Sequence, residues 1–324
     1  IEPAMVDEVV RHAAELGVSA VLIEADGSRM LPAKAPAVHE PALPASTTLL
    51  VPILGLDAIG CLIDDSHVHR PEQIRMLLGS AADLPGLRLT PAAAARLLCH
   101  PRGGLKARPG GARDVALLNK ADSPPRRAIG RMIANRLAAQ QMMTLLTTLG
   151  GSHAEPVLGR DGPVAAIILA AGASTRMGRP KQLIEFQNVP LVVHALRIAL
   201  ASGAQQVLIV TGAQGDAVAA AVAEWTEEAD RRRVQVVHNQ AWATGQASSL
   251  RAALAELDAT TQAALFIPVD QPLVQPKLLR RLIRAWQQGG RIAAPLADGQ
   301  MRGAPALFDR SLWSELCALR GDVG

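Results

Sequence analysis

The chain has 324 residues, of which 49% are hydrophobic and 19% are charged, and this balance excludes an intrinsically disordered protein. With three Phe, four Trp and no Tyr it lacks the aromatic platforms on which nucleic-acid bases stack, so we expect no nucleic-acid partner. The formal net charge of +4 is compatible with an enzyme that handles polyanions, and the length suits two domains of ordinary size.

Signals for targeting and redox chemistry are weak. Cys61, Cys99 and Cys317 are widely spaced and form no C-x-x-C pair, which indicates neither a disulfide framework nor a zinc site. The apolar stretch Leu49 to Ile63 is interrupted by polar and helix-breaking residues and is too short to span a membrane. We therefore expect buried free thiols, no membrane partner and a cytoplasmic location. Because the chain begins with Ile1, we also expect both of its ends to be truncated.

Residues 1–150 are predicted to form an α/β domain. Three short strands are expected: Val21–Glu24, Thr48–Ile53 and Val115–Leu118. The last of them runs into the sequence Asn119-Lys120-Ala121-Asp122. A strand that ends in N-K-x-D is typical of a sheet like that of P-loop GTPases, but the chain contains no Gly-Lys pair and so lacks the phosphate loop.

Two interpretations of that turn remain open. Lys120 and Asp122 could contact a guanine base, or Asp122 could cap the helix that begins near Ser123-Pro124.

Residues 151–162 are small and polar and are predicted to be a linker, after which strands and helices alternate. The expected strands are Val164–Leu169, Gln206–Val210, Val234–Val237 and Ala263–Val269. The expected helices are Pro190–Ser202, Asp216–Glu228, one that begins near Ser248, and Gln275–Gln288. This alternation predicts a three-layer, Rossmann-like α/β domain over residues 163–324.

The most informative motif follows the first of these strands. Leu169-Ala170-Ala171-Gly172-Ala173-Ser174-Thr175-Arg176-Met177-Gly178-Arg179-Pro180-Lys181 forms a loop at the carboxyl edge of the sheet, where ligands bind in open α/β folds. Small residues let backbone N–H groups approach phosphate oxygens, and Arg176 and Lys181 supply positive charge. The spacing is neither that of a Walker A loop nor that of a dinucleotide fold.

A carboxylate stands at the end of a second strand. Asp270 precedes Gln271 and Pro272 and is placed to hold magnesium against the phosphates of a nucleotide, although a simple strand-terminating turn is the alternative. Arg176, Lys181 and Asp270 are thus the candidate catalytic residues, acting through charge rather than as acid, base or nucleophile.

Other candidates are less specific. Thr211 and Gly212 end the second strand, where a base could lie against the backbone, or where an ordinary tight turn could stand. Further candidate nucleotide contacts precede and begin a helix, where a serine could equally be an N-cap: Asn239, Gly245, Ser248 and Ser249. Asp322 is a candidate second metal ligand or acceptor contact.

Five segments together carry a family resemblance: Leu169–Lys181, Asn239–Leu250, Asp270–Pro272, Gly303–Phe308 and Gly321–Asp322. They resemble the molybdenum cofactor cytidylyltransferases, the MocA-like branch of the nucleotidyltransferases. The resemblance implies transfer of CMP from CTP to the terminal phosphate of molybdenum-molybdopterin, with magnesium as cofactor, pyrophosphate as leaving group and a molybdenum hydroxylase as a candidate partner. Relatives that transfer GMP tend to carry Leu-Ala-Gly-Gly, so the Cβ of Ala171 would favour a pyrimidine base.

The first domain resembles a different family, the YqeC-like accessory proteins of selenium-dependent molybdenum hydroxylases. Several short segments carry this likeness: Glu24–Arg29, Lys34–Pro36, His39–Pro41, His69–Glu72 and Asn119–Asp122. Two alternatives to cytidylyl transfer stay open, namely a nucleotidyltransferase acting on a sugar or polyol phosphate, and a non-catalytic carrier of molybdenum cofactor for a hydroxylase.

Overall fold

The computed structural model describes residues 2–79, 86–150, 155–174, 178–297, 299–301 and 303–322. The chain divides into two compact units, Ile1–Asp161 and Gly162–Gly324. No helix within the described ranges combines the length and the apolar character needed to cross a membrane.

The first unit contains short helices and a small sheet. Its helices are α1 (Pro3–Arg11), α2 (Pro71–Leu77), α3 (Pro91–Cys99) and α4 (Pro124–Ala138). Its strands are β1 (Leu49–Leu50), β2 (Ile53–Gly55), β3 (Arg113–Asn119), β4 (Met143–Thr147) and β5 (Val157–Asp161). Strands β1 and β2 both pair with β3, β3 pairs with β4 in parallel, and β5 closes the other edge antiparallel to β4.

The core of this unit is aliphatic. Leu54, Leu118 and Leu146 from the strands pack against Ile133 and Leu137 of α4. No Phe, Trp or Tyr occurs before residue 162 in the sequence. The predicted α/β class is therefore confirmed, with aliphatic packing in place of aromatic side chains.

Two sequence predictions for this unit need correction. No strand forms at Val21–Glu24, where Leu22 is 95% exposed, because β-propensity alone does not make a strand without a neighbour to pair with and pack against. The predicted strand Thr48–Ile53 is divided into β1 and β2 at Pro52, which has no N–H to donate and takes part only through its carbonyl, accepting from Leu117 N at 2.9 Å.

The predicted linker also differs from the structure in its second half. Strand β5 lies within residues 151–162, and its Asp161 stands opposite Thr144 of β4. This polar stretch forms a strand because it can pair with the free edge of β4. Its sequence contains too few apolar residues to show the alternation typical of a strand.

A network of charges fastens the loop Asp26–Glu40 to the start of α2. Arg70 donates two hydrogen bonds to the Glu40 carboxylate, at 2.7 and 2.9 Å. Lys34 Nζ lies 3.0 Å from both Glu40 and Asp26. The Arg70 guanidinium, aided by Lys34, lowers the pKa of Glu40 to about 2. These charged side chains therefore pair with one another inside the first unit.

The second unit is a larger α/β sandwich. Its principal strands are β6 (Val164–Ala170), β9 (Gln206–Thr211), β10 (Val234–His238), β11 (Ala263–Pro268), β12 (Ile292–Ala293) and β15 (Ala306–Asp309). Two small hairpins add β7 (Glu185–Phe186), β8 (Val189–Pro190), β13 (Leu296–Ala297) and β14 (Gln300–Met301). Its helices are α5 (Leu191–Leu200), α6 (Gly215–Trp225), α7 (Gln246–Ala255), α8 (Pro276–Gln287) and α9 (Trp313–Ala318).

The sheet order places the first strand of this unit at its centre. The order is β10-β9-β6-β11-β15-β12, in which β10, β9, β6 and β11 are parallel, and β15 runs antiparallel to both of its neighbours, β11 and β12. From β6 the chain first builds outward through β9 and β10 and then returns to add β11 on the other side. The carboxyl ends of β6 and β11 therefore flank a topological switch point, where open α/β sheets bind ligands.

Both faces of this sheet are covered. Alternate residues of β6, such as Ile168 and Ile167, enter opposite core clusters. One cluster takes its helical residues from α5, α6 and α8, and the other from α7 and α9. The predicted three-layer arrangement is confirmed.

Candidate active site

The strongest sequence candidates meet at the switch point. The loop after β6 begins at Ala171, and Asp270 follows two residues after the end of β11. Since Leu169 stands opposite Pro268 in the parallel ladder, these segments leave the sheet side by side.

An ion pair joins the two segments. Lys181 Nζ lies 2.8 Å from Asp270 Oδ2, although the two residues are 89 positions apart in the sequence. The Lys181 side chain is 31% exposed and that of Asp270 49%, so both charges remain accessible from solvent. The structure thus brings together two of the three predicted catalytic residues, while Arg176 lies outside the described residues.

The loop is held from behind by a side chain that the sequence analysis missed. Gln182 is fully buried, and its Nε2 donates to the carbonyls of Ala170 and Gly172, at 2.8 and 2.6 Å. Its Oε1 accepts a longer bond from Ser174 Oγ at 3.4 Å, and that hydroxyl accepts from Lys181 N at 2.9 Å. Gln182 therefore connects the loop to the residue that supplies its positive charge.

The backbone donors of this loop are available. In the part of the chain that the structure describes, the N–H groups of Gly172, Ala173 and Ser174 have no protein acceptor. A Cβ built on Gly172 meets nothing within 4 Å. Unpaired N–H groups beside open space are what a phosphate-binding loop requires.

Close packing around Gly212 leaves no room for a side chain at this position. A Cβ at this position would lie 2.5 Å from the Ala171 carbonyl oxygen and 2.6 Å from Trp242 Cβ. The neighbouring Thr211 is 1% exposed, and its hydroxyl bonds at 3.4 Å to the Val237 carbonyl. The predicted contact of Thr211 and Gly212 with a base stays a prediction, since the close approach that requires a glycine is made by Trp242.

Asn239, Ser248 and Ser249 form a buried network. Asn239 Nδ2 donates to Ser248 Oγ at 2.8 Å and to Ser249 Oγ at 3.1 Å, and all three residues are 5% exposed or less. The network fixes the start of α7 against the end of β10. Direct contact of these side chains with a nucleotide stays a prediction, and their burial favours a positioning role.

Asp322 and Gly321 close the N-terminus of α7. Asp322 Oδ1 accepts from Gln246 N at 3.2 Å, and the Gly321 carbonyl accepts from Ala247 N at 3.0 Å. Gly245, at φ +108°, has Gly321 backbone atoms 2.4 Å from where a Cβ would lie. Asp322 and Gly321 thus each satisfy one helix N–H group that would otherwise lack a partner. The predicted metal role of Asp322 stays a prediction.

His194 supports the turn that carries Asp270. Its Nε2 lies 2.7 Å from the Pro272 carbonyl, to which it donates, and its ring meets Phe186 edge to face at 5.3 Å. Gln271 Nε2 reaches the Ala304 carbonyl at 3.3 Å. Gln182 and His194 escaped the sequence analysis because each acts through tertiary contacts, and their only sequence signal is a polar residue within an apolar stretch.

Two family models match different parts of this chain. The family model of the MobA-like NTP transferase domain matches residues 166–324, and that of the YqeC protein matches residues 1–72. Nicotine blue oxidoreductase of Paenarthrobacter nicotinovorans is 31% identical over 168 residues, which are 50% of this chain and 78% of that protein. The chain belongs to the MobA-like NTP transferase family.

Other relatives match smaller parts. Bifunctional protein GlmU of Sorangium cellulosum is 36% identical over 137 residues, 42% of this chain and 28% of that protein. YqeC of Escherichia coli K12 is 38% identical over 100 residues, 31% of this chain and 38% of that protein. The chain therefore spans well under half the length of these two curated relatives. The matches to the YqeC and MobA-like families lie in different parts of the chain.

The chemistry of the MobA-like site fits a divalent cation. Asp270 Oδ2 is engaged by Lys181, whereas Oδ1 has no partner among the described residues and the side chain is half-exposed. Within the same residues no three or more His, Cys, Asp or Glu side chains form a cluster that could hold a metal ion. Mg²⁺ is often bound by one or two carboxylates together with the phosphates of its substrate, which suits such a site.

In the first unit, the predicted nucleotide residues pair with other charges of the fold. Lys120 Nζ pairs with Asp57 at 2.6 Å, and Asp122 pairs with Arg126 at 2.8 Å. The N-cap of α4 is Ser123, whose hydroxyl accepts from Arg126 N, and not Asp122 as one of the two interpretations held. The base-contact interpretation stays a prediction.

The three cysteines are free and partly buried, and burial raises the pKa of the Cys99 thiol.

Proposed function

We propose that the MobA-like domain transfers CMP from CTP to the terminal phosphate of molybdenum-molybdopterin. The observation that carries the proposal is the Lys181–Asp270 pair at the switch point, beside a loop whose N–H groups from Gly172 to Ser174 have no acceptor in the described part of the chain. The choice of CTP and of the acceptor rests on the family resemblance of the sequence motifs.

The reaction needs little covalent help from the protein. An oxygen of the acceptor phosphate attacks the α-phosphorus of CTP, a new P–O bond forms, and the bond from the α-phosphorus to the bridging oxygen of pyrophosphate breaks. No atom is oxidised or reduced. Because the acceptor phosphate is already ionised at neutral pH, no general base is required, and catalysis depends on positioning and charge compensation.

The residues of the site divide this work. The N–H groups of Gly172 and its neighbours bind phosphate oxygens, and Lys181 turns from Asp270 to the phosphates when the nucleotide arrives. Asp270 would then be free to hold magnesium. The bound cation would supply positive charge beside the leaving pyrophosphate. Arg176 is assigned the same electrostatic role from its place in the sequence motif.

The test is pyrophosphate release with each of the four ribonucleoside triphosphates, with and without molybdenum-molybdopterin. Release restricted to CTP plus the molybdopterin supports the proposal. Equal turnover with GTP and CTP would remove the pyrimidine preference assigned to Ala171. Turnover with a sugar or polyol phosphate in place of the molybdopterin would identify a different transferase, and nucleotide binding without any release would identify a carrier.

A further inference from the structure

The side chain of His69, in the first unit, is buried without a partner. His69 is 9% exposed, and its ring nitrogens form no hydrogen bond among the residues that the structure describes. Most buried polar side chains have a partner, so this ring requires an explanation. Its backbone is fixed by two bonds, from His69 N to the Ala33 carbonyl at 2.8 Å and from Ala35 N to the His69 carbonyl at 3.3 Å. Neither ring nitrogen is fully enclosed by protein atoms, so a small ligand can reach the ring.

The surroundings of this ring are mostly cationic. Burial lowers the pKa of His69. Three neighbouring positive charges lower it further, those of Arg70, Arg29 and Lys34. The Glu40 carboxylate acts in the opposite direction. The imidazole is therefore neutral at pH 7 and carries one N–H donor.

Two of the three cations are already compensated. Lys34 pairs with Asp26 and Glu40, both at 3.0 Å, and Arg70 pairs with Glu40 at 2.7 Å. Arg29 is exposed and forms no ion pair within the described part of the chain. Two carboxylates thus balance two cations, and the guanidinium of Arg29 is the excess positive charge near the ring.

The turn that carries Arg29 has an unusual backbone. Arg29 and Met30 have φ angles of +53° and +65°, in the left-handed region that residues other than glycine seldom adopt. A bond from Leu31 N to the Ser28 carbonyl, at 3.1 Å, closes the turn. Met30 is 98% exposed, so burial of its side chain does not compensate for this conformation. Residues held in such strained conformations are concentrated at binding and active sites.

The charges decide which class of ligand fits. An excess cation near a neutral imidazole disfavours a metal ion, and within the described residues no three or more His, Cys, Asp or Glu side chains form a cluster that could hold one. An oxyanion fits, because a guanidinium offers paired N–H donors and the ring offers one more. The several oxygens of a phosphate group can accept from both side chains at once.

We propose that His69 and Arg29 bind a phosphate group in the first unit, to which the proposed transfer assigns no ligand. The ring N–H and the guanidinium donate to its oxygens, and the network of Lys34, Glu40 and Arg70 holds the surrounding loop in place. The ligand is inorganic phosphate or a phosphomonoester. Because a negative charge close to an imidazole favours its charged form, bound phosphate raises the pKa of His69.

The experiment follows the ring C–H resonances of the histidines by NMR as a function of pH, in the full chain without CTP. The probes are inorganic phosphate and glycerol 3-phosphate, with chloride at the same ionic strength as the reference. The matched control is His100, whose pKa is also lowered by burial and by two arginines, Arg102 and Arg96. Its Nδ1 already accepts from Arg102 N at 3.0 Å. His69→Gln and His100→Gln assign the two sets of resonances.

Phosphate should raise the pKa of His69 by about one unit or more and leave that of His100 unchanged. Arg29→Ala should weaken phosphate binding by about tenfold, the effect of one charge-assisted hydrogen bond. Without ligand it should itself raise the pKa of His69, because a neighbouring cation is lost. Arg102→Ala removes another exposed cation of the same unit and should bind phosphate as the wild type does. Binding of both probes assigns the site to the phosphate group itself, and binding of glycerol 3-phosphate alone assigns it to a phosphomonoester.

Four results would overturn the inference. They are an unchanged pKa of His69 with both probes, the same change with chloride, equal shifts of His69 and His100, and wild-type phosphate affinity in Arg29→Ala. Because the readout is a histidine of the first unit and CTP is absent, the outcome does not depend on whether the proposed transfer takes place.

Discussion

The two units share an α/β design but use their charges differently. In the first, Glu40, Arg70 and Lys34 are partly buried and bonded to one another, with side chains 13 to 21% exposed. In the second, Lys181 and Asp270 are 31 and 49% exposed and lie next to N–H groups that have no acceptor among the residues the structure describes. Charges that compensate one another inside a fold stabilise that fold, whereas a half-exposed pair at a switch point remains available for a substrate.

The units also differ in their cores. All of the Phe and Trp residues lie after residue 162. Trp286 is fully buried there and donates to Asp309 at 2.7 Å. Tryptophan emission therefore reports unfolding of the second unit alone, while circular dichroism reports both, and the comparison can be tested in the intact chain.

The largest effect is expected at the half-exposed pair. Lys181→Ala should lower turnover by roughly a hundredfold to a thousandfold, because it removes a preorganised positive charge that stabilises the negative charge developing on the leaving pyrophosphate. Tryptophan emission should show an unchanged fold. Arg231→Ala removes a cation that is 61% exposed in the same unit and should leave turnover as it is. A folded Lys181→Ala protein within a few-fold of the wild type would exclude Lys181 from the site.

The next effect concerns the charges of the first unit. The folded pKa of Glu40, about 2, lies below its ordinary value of 4.5, so its contribution to stability is complete above about pH 4.5 and is lost as the pH falls toward 2. The shift corresponds to at most about 3 kcal/mol. Urea unfolding followed by circular dichroism should show this loss as the pH falls from about 5 toward 2.

Glu40→Gln should remove that pH dependence and lower the free energy of unfolding of the first unit at pH 7 by roughly 2 to 3 kcal/mol. The matched control is Asp122→Asn, which breaks a surface pair at i, i+4 and should cost less than about 0.5 kcal/mol. Equal effects of the two variants would contradict the difference drawn between partly buried and exposed charges.

A smaller effect is expected when the support of the loop is removed. Gln182→Leu leaves two carbonyls without their donor and should lower the free energy of unfolding of the second unit by about 2 kcal/mol. It should also weaken CTP binding, since the loop would lose its fixed conformation. Gln288→Leu, on the exposed end of α8, should change neither quantity. Unaltered CTP affinity in Gln182→Leu would show that the loop is ordered by other contacts.

The smallest effects separate two glycines of the site. Gly212→Ala should cost about 1 to 2 kcal/mol, because the new methyl group would overlap Trp242 and the Ala171 carbonyl. Gly172→Ala should leave stability within about 1 kcal/mol of the wild type, since its methyl group meets open space, yet it should weaken CTP binding. If Gly172→Ala binds CTP normally, phosphates do not approach the loop at this position.

The sequence predicts the parts of this molecule that are specified locally. Strands β6, β9 and β11 were predicted to within one residue because each is a continuous apolar run covered on both faces. The motif after β6 and the carboxylate after β11 predicted Lys181 and Asp270 as members of one site, since both follow strands of a parallel sheet. Their direct contact depends on the strand order, which no local pattern contains.

What the sequence did not predict depends on contacts that form only in the folded chain. Strand β5 exists because β4 offers it an edge, and Val21–Glu24 lacks such an edge. Gln182 and His194 act on carbonyls that only the folded sheet brings near them. Gly212 is small because of Trp242, which is 30 residues away. In each case the sequence shows the residue type, but only the fold shows which residue it contacts.

The hydrogen bonds made by Gln182 determine how the peptide dipoles of the loop are oriented. A peptide plane carries its oxygen and its hydrogen on opposite sides. Drawing the oxygens of Ala170 and Gly172 toward one buried amide nitrogen turns the hydrogens of the same two planes, on Ala171 and Ala173, the other way. Rotating that amide by half a turn would set oxygen against oxygen, so only one orientation is stable. The interior of the protein thus determines the positive polarity of the surface to which our proposal assigns the triphosphate.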